Sequence, residues 1–107
     1  MAAWHAWLVK NHSTASSVWL ITHKKASPHV SLDYDEMVCE ALCWGWVDSK
    51  VARVDDFRTK TYFTPRRRTS AWSESNKNRV ERLLAEGRMQ APGLAPIETA
   101  KTSGRWD

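Results

Sequence analysis

The apolar period of this chain changes once and sharply, at Gly45, and the change dictates a helix running into strands. Before it, Tyr34, Met37, Val38, Ala41 and Leu42 recur at i, i+3, i+4, i+7 and i+8, one continuous helical face. Asp33 stands three residues before Glu36, the spacing of a reciprocal N-terminal cap. Gly45 can adopt the left-handed conformation that stops a helix. After it, Trp46, Asp48, Lys50 and Ala52 alternate with Val47, Ser49 and Val51, the pattern of a half-buried strand. Asp55-Asp56 supplies turn chemistry. Phe57, Thr59, Thr61 and Phe63 then alternate with Arg58, Lys60 and Tyr62. The segment predicts an antiparallel hairpin with one apolar and one basic face.

The flanking segments add elements of the same kinds. Residues 2–11 place Trp4, Trp7 and Leu8 at helical spacing, and Val18-Trp-Leu-Ile-Thr22 is a β-branched apolar run of strand length. Pro65 ends the last strand. Ser73 suits the start of a third helix, with Val80, Leu83 and Leu84 inward and Gly87 as its stop. Pro92-Gly93 punctuates the chain, and a short last helix fits Leu94 to Lys101, before Gly104. A chain of 107 residues makes one domain, residues 1–107. Its seven tryptophans, each able to bury roughly 150–250 Å², favour a packed core over disorder. The expected fold is α+β, a small antiparallel sheet of about three strands packed on one face by three or four helices.

Charge is regional. Lys50 to Arg88 holds eleven basic residues against five acidic ones, whereas the whole chain is only +4. That excess points to an anionic partner or to a solvated surface. Two cysteines, Cys39 and Cys43, are too few for a disulfide framework. The N-terminus, interrupted by His5 and Lys10, does not read as a secretory signal, so a reducing, cytoplasmic setting is expected.

Several stretches resemble the bacteriocin-protection family, also called YdeI/OmpD-associated proteins. They are Ala6-Trp-Leu-Val-Lys-Asn-His12, Val18-Trp-Leu20, Glu40-Ala-Leu-Cys-Trp-Gly-Trp-Val-Asp48, Phe63-Thr-Pro-Arg-Arg67, Trp72-Ser73, Arg79-Val-Glu-Arg-Leu83, Ala85-Glu-Gly-Arg-Met89 and Gly104-Arg-Trp106. The resemblance implies tolerance of bacteriocins or cationic antimicrobial peptides, in association with an outer-membrane porin. It also implies a longer lead-in before residue 1 and a further helical segment after Asp107, which would make the chain a piece truncated at both ends.

The sharpest candidate for function is the run Arg66, Arg67 and Arg68. Planar guanidinium forks suit phosphate or carboxylate, and Trp72 is expected to offer a stacking ring beside them. Lys50, Arg58 and Lys60 extend this surface along the hairpin. Against that stands a bland alternative, arginines pairing with Glu74 or Glu81 or lying over Trp72. Trp44, Trp46 and Asp48 either wall a pocket or, for the tryptophans, dock helix on sheet. Cys39 and Cys43 lack the further ligands of a zinc shell, so no metal is expected, and they read as structural thiols. Asp48-Ser49-Lys50 puts Ser49 on the strand face opposite its neighbours, which argues against a Ser–Lys pair. With no glycine-rich phosphate loop either, no cofactor and no enzymatic activity are expected. The favoured expectation is a non-enzymatic binding or interaction module of the bacteriocin-protection type, taking a protein or other anionic partner. Nucleic-acid binding through the same patch is the alternative.

Overall fold

The computed structural model describes residues 2–23, 33–66, 72–104 and 106. The elements in chain order are α1 (Ala2–Asn11), β1 (Val18–His23), α2 (Tyr34–Cys43), β2 (Trp46–Arg53), β3 (Arg58–Pro65), α3 (Glu74–Ala85) and α4 (Ala91–Ser103). The strands form one antiparallel sheet in the order β1-β3-β2, so the fold is α+β with β3 at the sheet's centre.

Helix α2 organises the interior, because every residue from Met37 to Cys43 is buried. On one side Met37 and Ala41 meet Trp4, Leu8, Trp46 and Phe63, between α1 and the sheet. On the other, Val38, Cys39, Leu42 and Cys43 meet Val80, Leu83, Ile97 and Ala100 of α3 and α4. A helix apolar on two sides is a central helix. The sheet's inner face is therefore covered by α1 and α2, and α3 and α4 lie behind α2. Cys39 and Cys43, off the stripe marked by the sequence, sit in this second core. Burial pushes both thiols up, Cys43 to about 12, so neither is a ready nucleophile.

Two element ends differ from expectation. The Asp33 side chain makes no capping hydrogen bond, and its backbone carbonyl instead accepts the Met37 N–H at 3.0 Å. Helix α4 begins three residues early, at Ala91. Proline is at home in a first helical turn, where its missing N–H leaves nothing unsatisfied. Gly93 is a close approach rather than a break: a Cβ there would lie 2.6 Å from the Leu42 carbonyl oxygen and nearer still to that of Cys43. Ser73 caps α3 as expected, its Oγ accepting the Asn76 N–H at 3.2 Å.

Asp35 ties α2 to α3. Its carboxylate accepts from Arg79 Nε at 2.7 Å and from Arg82 Nη2 at 2.8 Å. Hydrogen bonds from Arg82 and then Arg79 hold its pKa below the usual carboxylate value. A depressed folded-state pKa stabilises the fold above the unfolded value of about 3.9 and is lost as pH falls through the folded value. The carboxyl is 37% exposed, so solvent screening limits the contribution to about 1 kcal/mol. Asp35→Asn should cost that much at pH 7 and flatten the acid limb of the stability curve. Urea midpoints at pH 7 and pH 3 for both proteins test it, and an equal loss at both pH values would rule out the ionic contribution. Among the described residues no helix is long and apolar enough to cross a membrane.

Candidate functional site

The outer face of the sheet carries the candidate site. Alternation along β1 and β3 turns Val18, Leu20 and Phe63 toward the helices and places Trp19, Ile21, Lys60 and Tyr62 on the opposite face. Trp19 pairs with Tyr62 and Ile21 with Lys60 across the β1–β3 ladder, while Lys50 pairs with Tyr62 across β2–β3. This face stays open: Trp19 is 38% exposed and Ile21 52%.

A bulge brings Lys50 to it. The β2–β3 register slips between Asp48 and Lys50, so Asp48 pairs with Phe63 and Lys50 with the adjacent Tyr62. One extra residue in a strand reverses the facing of everything beyond it. The expectation that Trp46, Asp48, Lys50 and Ala52 share a side is therefore overturned. Trp46 and Asp48 keep the inner phase of Phe63, and Lys50 and Ala52 join the outer phase of Tyr62 and Lys60. Ser49 occupies the bulge, with its Oγ 3.4 Å from the Tyr62 carbonyl oxygen.

Four side chains gather there. The Trp19 and Tyr62 rings lie 4.9 Å apart at 48°. Lys60 Nζ stands 4.6 Å from the Trp19 centroid, and Lys50 Nζ lies 5.0 Å from Tyr62 and 5.7 Å from Trp19. Among the described residues neither ammonium has a carboxylate in ion-pair reach. Several other cations are ion-paired instead. Arg53 pairs with Asp56, Arg58 with Asp55 at 2.8 Å, Lys77 with Glu74 at 3.3 Å, and Arg79 and Arg82 with Asp35. Asp55 also closes the hairpin, its Oδ1 accepting the N–H groups of Phe57 and Arg58 at 2.9 and 2.8 Å. Of the hairpin cations expected to bind a partner, Lys50 and Lys60 keep their charge available and Arg58 is largely neutralised.

The Arg66–Trp72 surface is corrected in part. Trp72 is only 9% exposed and packs 5.0 Å from Trp106, so it belongs to the core and not to a stacking platform. Arg66 is half-buried with its guanidinium 3.7 Å from the Trp72 centroid, and burial lowers its pKa. Its backbone N–H donates to the Gly45 carbonyl at 2.8 Å. Arg67 and Arg68 lie outside the described residues. Trp44 and Trp46 both line a cleft of about 380 Å³, with His12, Arg66 and Pro92 among its other walls, and Asp48 is not part of it. Trp46 is buried, donating Nε1–H to the His12 carbonyl at 3.1 Å. Asp48 accepts the Tyr34 hydroxyl.

Trp44 also lines a second cleft, of about 590 Å³, with His5, Glu36, Glu40, Arg88 and Gln90 among its other walls. Glu40 is only 6% exposed and is met by His5 Nδ1, while Arg88 Nη2 lies 3.6 Å from both Glu36 and Glu40. A buried carboxylate needs such partners. The sequence reading passed over this group, although one acid inside the apolar run Met37 to Cys43 was its signal. Trp19 was also missed as a site residue, since a continuous apolar run does not reveal which of its members faces water.

Together these features define a small α+β fold with an open basic and aromatic sheet face and a cleft of paired acidic and basic side chains on its helical side. The chain belongs to the family described as Domain of unknown function (DUF8412), which matches residues 1–96. No curated protein and no solved structure matches it.

Proposed function

We propose that this chain is a non-enzymatic binding module that takes an anionic partner on the outer face of its sheet. The observation that carries this reading is the placement of Lys50 and Lys60 over Trp19 and Tyr62, on an exposed surface and without a carboxylate partner among the described residues. Retention on an anionic polysaccharide resin tests it. The protein should bind at low salt and elute as salt screens the contact. Lys50→Gln with Lys60→Gln should elute markedly earlier, whereas Arg53→Gln with Arg58→Gln, whose charges are already met by Asp56 and Asp55, should shift little. Unchanged elution of the Lys50/Lys60 variant, or loss of retention only on replacing Arg66, Arg67 and Arg68, would move the contact surface away from the sheet.

A second reading is the tolerance of cationic antimicrobial peptides implied by the resemblance to the bacteriocin-protection family. The cleft bounded by Glu36, Glu40 and Trp44 is where such a peptide would dock, its basic side chain competing with Arg88 for the two carboxylates. A cationic peptide titrated into isotope-labelled protein should perturb amides around Glu36 and Glu40 in this case, and leave those around Lys50 and Lys60 unmoved.

A further inference from the structure

We propose that the anionic partner of the sheet face is a single-stranded nucleic acid whose bases stack on Trp19 and Tyr62. The inference rests on the reading of that face as an anion-binding surface and adds what the rings contribute. Charge alone would be served by lysines anywhere on the surface. Here two ammonium groups without a carboxylate partner among the described residues are held at two partly exposed rings: Trp19, Tyr62 and Lys50 share one cross-strand row of the sheet, and Lys60 stands in the next. Ile21, exposed in the next row beside Lys60, extends the apolar strip. Aromatic rings beside a basic track are what a flexible polyanion with planar bases requires, because every base has a π-face whatever its identity.

The lysine geometry fits an exchange. Lys50 and Lys60 reach the rings on flexible four-carbon stems. A base arriving at Trp19 displaces an ammonium from the ring, and the freed charge meets the phosphate beside that base. One cation–π contact is thereby replaced by a stack and an ion pair. A duplex cannot do this, since its bases are already stacked on one another and only their edges face the grooves. An acidic protein surface would engage the lysines and leave the two rings without a role.

Fluorescence anisotropy with a labelled twelve-nucleotide oligothymidylate provides the test, with a duplex of equal length, heparin and polyglutamate as competitors. The single strand should bind more tightly than the duplex and resist both polyanions. With about two phosphates neutralised, affinity should fall roughly sevenfold between 50 and 200 mM salt. Trp19→Ala should weaken binding by roughly tenfold or more, and Trp19→Phe should restore most of it. Because Trp19 is partly exposed, both variants should keep a cooperative melt, and Tyr62→Ala supplies an independent ring deletion. If heparin or polyglutamate competes as well as the oligonucleotide, and the ring variants bind like wild type, the single-strand proposal is overturned while the anion-binding surface stands. If no polyanion binds at low salt, both fail.

Discussion

Replacing Gly45 by alanine should remove about 2–5 kcal/mol of stability. Two costs combine at this position. Its φ of 79° lies in the left-handed region, where a side chain costs roughly 1–2 kcal/mol. A Cβ would also stand 2.5 Å from the Pro92 carbonyl oxygen, which is backbone and cannot rotate away. Overpacking of that kind adds roughly 1–3 kcal/mol. The two costs can be separated. Gly87 has a φ of 69° and open space around it, so Gly87→Ala should show the conformational cost by itself. Gly93→Ala should show the steric one, through the Leu42 and Cys43 carbonyls. Urea unfolding of the three variants should show Gly45→Ala and Gly93→Ala as clearly more damaging than Gly87→Ala. A loss at Gly45 no greater than at Gly87 would mean that the turn does not seat against α4.

Trp46→Ala should cost about 3–5 kcal/mol, the range for truncating a buried aromatic ring. The side chain is 1% exposed, packs edge-on against Trp7 at 5.5 Å and 87°, and bonds the His12 carbonyl through Nε1. Trp46→Phe should recover much of the loss while leaving that carbonyl without its donor, a residual cost of about 1–2 kcal/mol. Trp19→Ala, on the open face of the same sheet, should change the urea midpoint far less. Equal destabilisation by Trp19→Ala and Trp46→Ala would show that the outer face is packed, which would remove the basis for a binding surface there.

The contrast between these two tryptophans shows where sequence reasoning stops. Both stand in apolar or alternating strand segments, and the sequence of β1 places Trp19 among Val18, Leu20 and Ile21 as though all were equivalent. Only the pairing of β1 with β3, and the packing of α1 and α2 on one face of the sheet, makes Trp19 outward. Trp72 departs in the opposite sense: beside an arginine run it looks like a surface stacking ring, but it is buried in the core that holds Val80 and Leu83, against Trp106 and under the Arg66 guanidinium. At Asp33 and Gly93 local propensity is not the whole cause: backbone capping decides the first and a close approach to α2 the second.

What the sequence determined by itself was the set of elements: a helix ending at Gly45, the β2–β3 hairpin beyond it, the basic outer phase of β3, and a third helix capped by Ser73. These follow from short-range chemistry, namely hydrophobic period, turn residues and caps, which the chain carries within a few residues of where they act. The tertiary structure decided which faces close and which stay open. It made α2 apolar on two sides, enclosed Glu40 with His5 and Arg88, and, through one slipped pairing at Ser49, turned Lys50 outward to join Lys60, Trp19 and Tyr62. Such placements depend on contacts between residues distant in the chain, and a one-residue shift of register reverses them.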